Sequence, residues 1–317
     1  MRISLAEAGK CLSDAKNIII TAHVNPDGDA IGSSLGLMHG LRAVGKNAQV
    51  ILDDDIPAMF SVLPGYETIQ PIKENQVLEC DLLVVLDASV DRLGRVFDTV
   101  KRKSVLNLDH HISNDDHAEF LYLDSERAAT AEIVCQLFKQ MKWKFSLAAA
   151  MSLYTGIATD CGFFRYSNTT PMTMSLASEL LEAGVKPNII SEALEQKSYS
   201  LVQAMATAMQ TIELSSQGRV AGIFLNQTLT ASMDSTEGFI DMVRVIEGID
   251  VAVLLKCVEE NVCRVSMRSK GVDVSRIAMQ FGGGGHIRAA GCTLHMSFEE
   301  GKQQILFAID KAVGENI

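Results

Sequence analysis

The chain has 317 residues, 47% hydrophobic and 21% charged, a globular composition whose length suggests two domains rather than one. Its formal net charge of −11 argues against a broad basic surface for long nucleic acid, yet leaves room for a small phosphorylated ligand, because bound metal ions supply positive charge locally. No run approaches the roughly 18–20 apolar residues of a membrane span. The opening MRISLAEAGKCLSDAK reads as a helix rather than a secretion signal. The seven cysteines (11, 80, 135, 161, 257, 263, 292) are scattered with no CxxC pair, and read mostly as small buried hydrophobes in a reducing compartment. The expectation is a cytoplasmic protein with no membrane partner.

In chain order, NIIITAH (17–23) is a short β-branched strand, and DAIGSSLGLMHGLRAVG (29–45) has apolar residues at helical spacing up to Gly45. NAQVIL (47–52) reads as a strand. DLLVVLD (81–87) and SVLNLD (104–109) are continuous apolar runs, as strands covered on both faces should be. TAEIVCQLFKQMKW and SLAAAMSLYTGIATD read as helices. This βαβ alternation predicts an α/β fold with a mainly parallel sheet and helices on both faces. Residues 170–214 read as all-helical. Beyond them, 219–226, 249–259 and 261–269 read as strands, the last two joined in a hairpin at Glu260-Asn261. A helix (274–281), four glycines and a terminal helix complete a smaller α+β domain. The expected division is 1–187, a helical connector 188–214, and 215–317.

The polar residues at the strand ends stand out. His23 closes IIITAH, Asp87 closes LLVVLD, and Asp109 closes VLNLD just before His110 and His111. In a parallel α/β sheet the carboxyl ends of the strands share one edge, where ligands bind. Asp27 and Asp29 follow His23, and Asp160 ends the helical stretch YTGIATD. Each residue alone has an ordinary reading as a cap or turn former. Four such clusters at compatible element ends favour a shared task. Carboxylates with imidazoles suit Mn, Zn, Fe or Mg. One ion would leave several donors unused, whereas two ions roughly 3.5–4 Å apart, sharing a bridging carboxylate, would use them all and could clamp a phosphoryl displacement.

At these residues the chain resembles a known family. HVNPDGDAIGS (23–33), LDASVDRLGR (86–95), LDHH (108–111) and TGIATDCGFFRY (155–166) resemble the four motifs of the DHH phosphoesterases. VSMRSKGVDVSRIA (265–278) and FGGGGHIRAAG (281–291) resemble the associated DHHA1 domain. Within the superfamily the chain looks most like the bacterial nanoRNase group, whose members often also act as pAp phosphatases. The resemblance implies that His23, Asp27 and Asp87 hold one divalent metal and that Asp29, Asp87, His110 and Asp160 hold the other, with Asp87 bridging. Spacing does not separate His110 from His111; the assignment of His110 is by family analogy. His111 would stand beside the phosphate as a polar or acid partner, and Asp109 would orient the histidines. The family's usual metal is Mn2+, with Mg2+ or Co2+ as substitutes. Cys161 stands where relatives commonly have a small polar residue such as Thr.

The glycine run could be a flexible linker, but it joins an apolar helix to HIRAAG without Ser-rich flanks. Glycines let main-chain N–H groups converge on an anion and let a ligand approach closely. Gly283, Gly284, Gly285, His286 and Arg268 are therefore candidate substrate-binding residues, with Ser266 two residues from Arg268 on the same strand face. Arg288 and Arg165 are further candidates, each with an ordinary reading as a surface charge.

The expected reaction is two-metal hydrolysis with no covalent enzyme intermediate, acting on very short RNA (roughly two to five nucleotides by the resemblance) or on pAp; long nucleic acid would want a basic track. The nearest rival is hydrolysis of cyclic-di-AMP or its linear product pApA. An inorganic pyrophosphatase and a nucleotide sensor without activity stand further off. The resemblance admits a homodimer.

Overall fold

The computed structural model describes residues 1–73, 76–114 and 117–314, and of His286 the main chain only. The chain divides into two compact units, Met1–Gln196 and Lys197–Ile317, a boundary inside the stretch expected to connect the domains.

The first unit contains six strands, β1 (Asn17–Thr21), β2 (Asn47–Leu52), β3 (Gln70–Pro71), β4 (Leu78–Leu86), β5 (Val100–Asp109) and β6 (Phe120–Leu123), in the order β3-β2-β1-β4-β5-β6. Every neighbouring pair is parallel. Its helices are α1 (Leu5–Asp14), α2 (Gly28–Ala43), α3 (Val96–Thr99), α4 (Thr130–Gln140), α5 (Leu147–Asp160), α6 (Pro171–Glu182) and α7 (Pro187–Glu195). The apolar runs are strands because both faces are covered. Ile18 and Ile20 of β1 and Leu82, Val84 and Leu86 of β4 enter one core with α2, α4 and α5. Ile19, Leu83 and Val85 enter a second core on the other face, closed by the short α3 and neighbouring turns. The chain winds outward from β1 to β3 and then returns to β4 on the other side of β1. Ligands in open α/β sheets bind beyond the carboxyl ends of the strands at such a reversal.

The second unit holds α8 (Tyr199–Met209), β7 (Ile212–Ser215), β8 (Val220–Leu225), α9 (Gln227–Ala231), α10 (Phe239–Arg244), β9 (Val251–Glu259), β10 (Val262–Ser269), α11 (Val274–Gln280), β11 (Gly284–His286), β12 (Ala289–Leu294) and α12 (Phe298–Gly314). Its sheet runs β11-β12-β10-β9-β8-β7, with only β8 and β9 parallel. The β9–β10 hairpin turns at Glu260-Asn261 as expected, with Glu259 opposite Val262. Two expectations are corrected. The run 170–214 is not helical to its end, because Ile212–Ser215 pairs with β8. Nor are all the cysteines separate: the β9–β10 register sets Cys257 opposite Cys263, and the two are joined as a disulfide, leaving five free. A contact decided by hairpin register is invisible to a search for CxxC. Among the described residues no helix is long and apolar enough to cross a membrane.

Candidate active site

The ends of β1, β4 and β5 bring His23, Asp87, Asp109, His110 and His111 together, the start of α2 adds Asp27 and Asp29, and the end of α5 adds Asp160. His23 lies two residues beyond β1, and its Nδ1 meets the Val24 carbonyl at 2.8 Å. A nitrogen facing a carbonyl must carry hydrogen, so in the neutral ring Nε2 is the lone-pair nitrogen. That Nε2 lies 3.7 Å from Asp27 and 3.6 Å from Asp87. Asp27 is also the N-cap of α2, accepting from the amides of Asp29 and Ala30 at 3.0 and 3.1 Å. Its cap role and its place in the cluster therefore coexist.

Asp87 follows β4 with φ +59°, a left-handed conformation that costs a non-glycine residue on the order of 1 kcal/mol. Its side chain is 3% exposed and sits among three imidazoles, with His110 Nε2 at 3.4 Å and His111 Nδ1 at 3.6 Å beside His23. Asp29, 1% exposed in the first turn of α2, accepts from the amides of Thr130 and Ala131 at 2.6 and 2.9 Å. His110 Nε2 lies 4.0 Å from Asp29 and 3.6 Å from Asp160, the last residue of α5. The two adjacent histidines are held differently. His110 Nδ1 meets the Arg127 carbonyl at 3.1 Å, which turns Nε2 toward the carboxylates. His111 Nδ1 is 2.9 Å from Asp109, and its ring is about one-third exposed. Asp109 is fully buried and also accepts from the amides of His110 and His111 at 2.8 and 3.1 Å.

These positions set the charges. Burial by itself would raise the Asp87 carboxyl, but hydrogen bonds from His110 and His23 hold it well below the usual range. Burial, reinforced by the charges of Asp87, Asp160 and Asp27, pushes Asp29 up; burial likewise raises Asp160 to about 6. Burial opposes the charged form of both His23 and His110. Their carboxylate partners win, raising His23 to about 10 and His110 to about 9. His111 is raised chiefly by its bond to Asp109.

The donor set fits metal. His23, Asp27 and Asp87, then Asp29, His110 and Asp160, and also Asp87, His110 and His111, each place one ligand atom apiece within 4.8 Å of one another. Burying carboxylates at this density is costly without compensating positive charge, and oxygen with imidazole donors suits divalent first-row metals.

In the second unit the glycine run is neither a linker nor an open loop. Gly284 and Gly285 pair with Gly291 and Ala290 across β11–β12. Gly285 has φ +140°, and a Cβ there would lie 2.5 Å from the Ala289 carbonyl oxygen, so the strands could not close on a larger residue. Strand alternation puts Arg264, Ser266 and Arg268 on the less buried side of β10. A depression of about 610 Å³ is lined by Arg264, Ser266, Phe281, Gly283, Thr293 and His295, among others. Of the expected binding residues it gathers Ser266 and Gly283. Arg268, Gly284, Gly285 and Arg288 do not line it. Arg268 bonds the Met267 carbonyl at 3.0 Å, Arg288 is exposed, and the side chain of His286 lies outside the described atoms. Arg165 belongs to the first unit, exposed, with Nε on the Gly162 carbonyl at 2.7 Å.

Several neighbours were missed in the sequence. Asn114 donates to Asp109 at 2.6 Å and to Asn107 at 2.8 Å, and Asn107 donates to the carbonyls of Val85 and Ala88 at 3.1 and 2.9 Å. Thr130 Oγ1 donates to Asp87 at 3.1 Å. Nothing local marks these contacts. Arg264 was within reach, since the alternation that selects Ser266 beside Arg268 selects it too.

A parallel sheet with buried carboxylates and imidazoles at its reversal, followed by a mixed-sheet unit, defines a two-part α/β protein built around a metal-competent centre. The chain belongs to the DHH family: the model of the DHH family, N-terminal domain, matches residues 17–157 and that of the DHHA1 domain matches 219–315. It is 36% identical to the bifunctional oligoribonuclease and PAP phosphatase NrnA of Thermus thermophilus, over 92% of this chain and 89% of that protein. It is 30% identical to the protein of the same name from Mycoplasma genitalium, over 92% of each. A crystal structure of an exopolyphosphatase-related protein from Bacteroides fragilis superposes with a TM-score of 0.90 at 27% identity, covering 97% of this chain and 96% of that one.

Proposed function

We propose that the chain is a phosphoester hydrolase that cleaves very short oligoribonucleotides to mononucleotides and pAp to AMP. The observation that carries this reading is the donor cluster at the sheet reversal, where Asp87 lies within 3.6 Å of His23 and 3.4 Å of His110; its agreement with relatives named for both activities supports the substrates. His23, Asp27 and Asp87 would hold one divalent ion, and Asp29, Asp87, His110 and Asp160 the other, with Mn2+ favoured and Mg2+ or Co2+ as substitutes. Bound there, the ions would supply Lewis acidity and lower the pKa of a water toward neutrality.

The protein's own groups do the rest. The carbonyls of Val24 and Arg127 fix the tautomers of His23 and His110. Water gives up a proton to solvent as its oxygen bonds to phosphorus, the bond to the leaving oxygen breaks, and the leaving oxygen needs a proton. We assign that proton to His111: Asp109 holds its Nδ1 and raises its basicity, and the partly exposed ring would leave Nε2 for the leaving oxygen. Catalysis is assigned to the first unit. Substrate grip is assigned to the second, through Arg264, Ser266 and Gly283 in the depression, with Arg268, His286 and Arg288 beside them in sequence.

Product analysis tests the reading. Purified protein with Mn2+ is given labelled RNA dinucleotides, trinucleotides and long oligomers, with pAp, pApA, cyclic-di-AMP and pyrophosphate in parallel, and an Asp87→Ala control. Mononucleotides from the shortest RNAs and AMP from pAp, both lost in the control, are expected. Turnover of pApA or cyclic-di-AMP alone would move the reading to second-messenger breakdown. Tight nucleotide binding without turnover would make the chain a sensor.

A further inference from the structure

Five consecutive residues at the start of α4 reach three of the residues that the metal reading rests on. The Arg127 carbonyl holds His110 Nδ1 at 3.1 Å. The amides of Thr130 and Ala131 hold one oxygen each of Asp29, at 2.6 and 2.9 Å. The Thr130 hydroxyl donates to Asp87 at 3.1 Å. A fourth is tied to the same stretch through Asn168, whose side-chain amide bonds the carbonyls of Ala128 and Asp160 at 3.3 and 3.2 Å. The stretch is itself anchored from inside, because the Ala128 amide donates to the carboxylate of Glu132 at 3.3 Å, and Thr130, Ala131 and Glu132 are fully buried.

The first N–H groups of any helix lack partners within it. Here the N-cap is Ala129, which has no side-chain oxygen to offer, and Asp29 from α2 takes that role from outside. The helix start and the carboxylate thus satisfy each other, and each Asp29 oxygen keeps one lone-pair direction free.

Thr130 has a more particular position. His23 and His110 turn Nδ1–H to carbonyls, so once their Nε2 atoms serve as ligands neither ring can donate to Asp87. Among the described residues the Thr130 hydroxyl is then the side-chain donor left to orient Asp87, which would face both ions. We propose that Thr130 is a positioning residue of the metal centre, and that Arg127–Ala131 is the element that sets the geometry of Asp29, Asp87 and His110 together. This inference rests on the metal-centre reading.

The test compares Thr130→Val, which keeps the shape and removes the donor, with Thr130→Ser, which keeps the donor. Thr173→Val is the structural control, since Thr173 is an equally buried threonine whose hydroxyl serves the cap of α6. Mn2+ affinity of the full chain is read from the paramagnetic resonance of free ion, alongside kcat and KM on an RNA dinucleotide. Outer partners of metal ligands typically matter by roughly 10–100-fold in affinity. Thr130→Val should lose that much affinity and should lower kcat with KM little changed; Thr130→Ser should recover most of both, and Thr173→Val should keep wild-type affinity. Should the valine variant fail to fold, Thr130→Ala removes the same donor and decides the question. Wild-type Mn2+ affinity in the donor-less variant, or equal losses in the serine and valine variants, overturns the assignment. A wild-type protein that binds no Mn2+ overturns the metal reading itself, a different result.

Discussion

Helices α2 and α5 deliver Asp29 and Asp160 to the site, and they approach each other through glycine. A Cβ added at Gly32 would lie 2.5 Å from the Ser152 carbonyl oxygen and 2.6 Å from the Gly156 nitrogen, both main-chain atoms that cannot swing aside. Ordinary contact begins at 3.4 Å, so Gly32→Ala must push the helices apart by about 0.9 Å. Overpacking of this kind costs about 1–3 kcal/mol, offset by up to about 1 kcal/mol from alanine's better helix propensity. The first unit should therefore lose about 1–2 kcal/mol, a shift in guanidinium midpoint of roughly 0.4 M. Trp143 is the chain's single tryptophan and packs edge-on to Phe138 of α4, so its fluorescence reports that unit. Asp29 is one helical turn before Gly32, and Asp160 is four residues after Gly156. Because a misplacement of about 1 Å can cost a hundredfold in rate, turnover should fall by roughly that factor. An unchanged Trp143 midpoint together with unchanged turnover would refute the close packing and the link from helix spacing to the site.

Further outcomes follow from the same geometry. Asp87→Asn should abolish measurable Mn2+ binding and lower kcat by roughly a hundredfold or more, the scale of losing one preorganised electrostatic group; isothermal titration and steady-state kinetics check both. Metal uptake should release protons, because His23 and His110, raised to about 10 and about 9, hold theirs at neutral pH. Affinity should then climb with pH, by about two log units per pH unit at most, and the titration enthalpy should depend on the buffer's ionisation enthalpy. A buffer-independent enthalpy would count against it. In the metal-free chain the sign is the reverse: folded pKa values above the unfolded ones stabilise the fold below the unfolded histidine value, and that contribution fades as pH rises through about 9 to 10. Arg264→Ala should raise KM for short RNA about tenfold, one charge-assisted hydrogen bond's worth, while leaving the unfolding midpoint in place because the side chain is exposed. An unchanged KM would remove the depression from the substrate path.

The sequence by itself determined the parallel sheet, since strands buried on both faces must be apolar at every position, and those runs are contiguous in the chain. It marked the candidate donors as well: His23, Asp27, Asp87, His110 and Asp160 stand at or near the ends of legible elements, and topology sends strand ends to one edge. Only tertiary structure decided how those donors are held. Asp29 reads locally as a first-turn acid of α2, yet its carboxylate caps α4, a hundred residues onward in the chain. His110 and His111 are equivalent in sequence; a carbonyl at Arg127 and a carboxylate at Asp109 turn one ring inward and leave the other partly exposed. Cys257 and Cys263 meet through hairpin register, and Gly284 and Gly285, the last two of the four glycines, join a strand edge because β12 pairs with them. Periodicity and capping are written within a few residues of one another, so one dimension suffices to read them. A hydrogen bond between distant segments depends on where packing brings each backbone, and no local pattern encodes that.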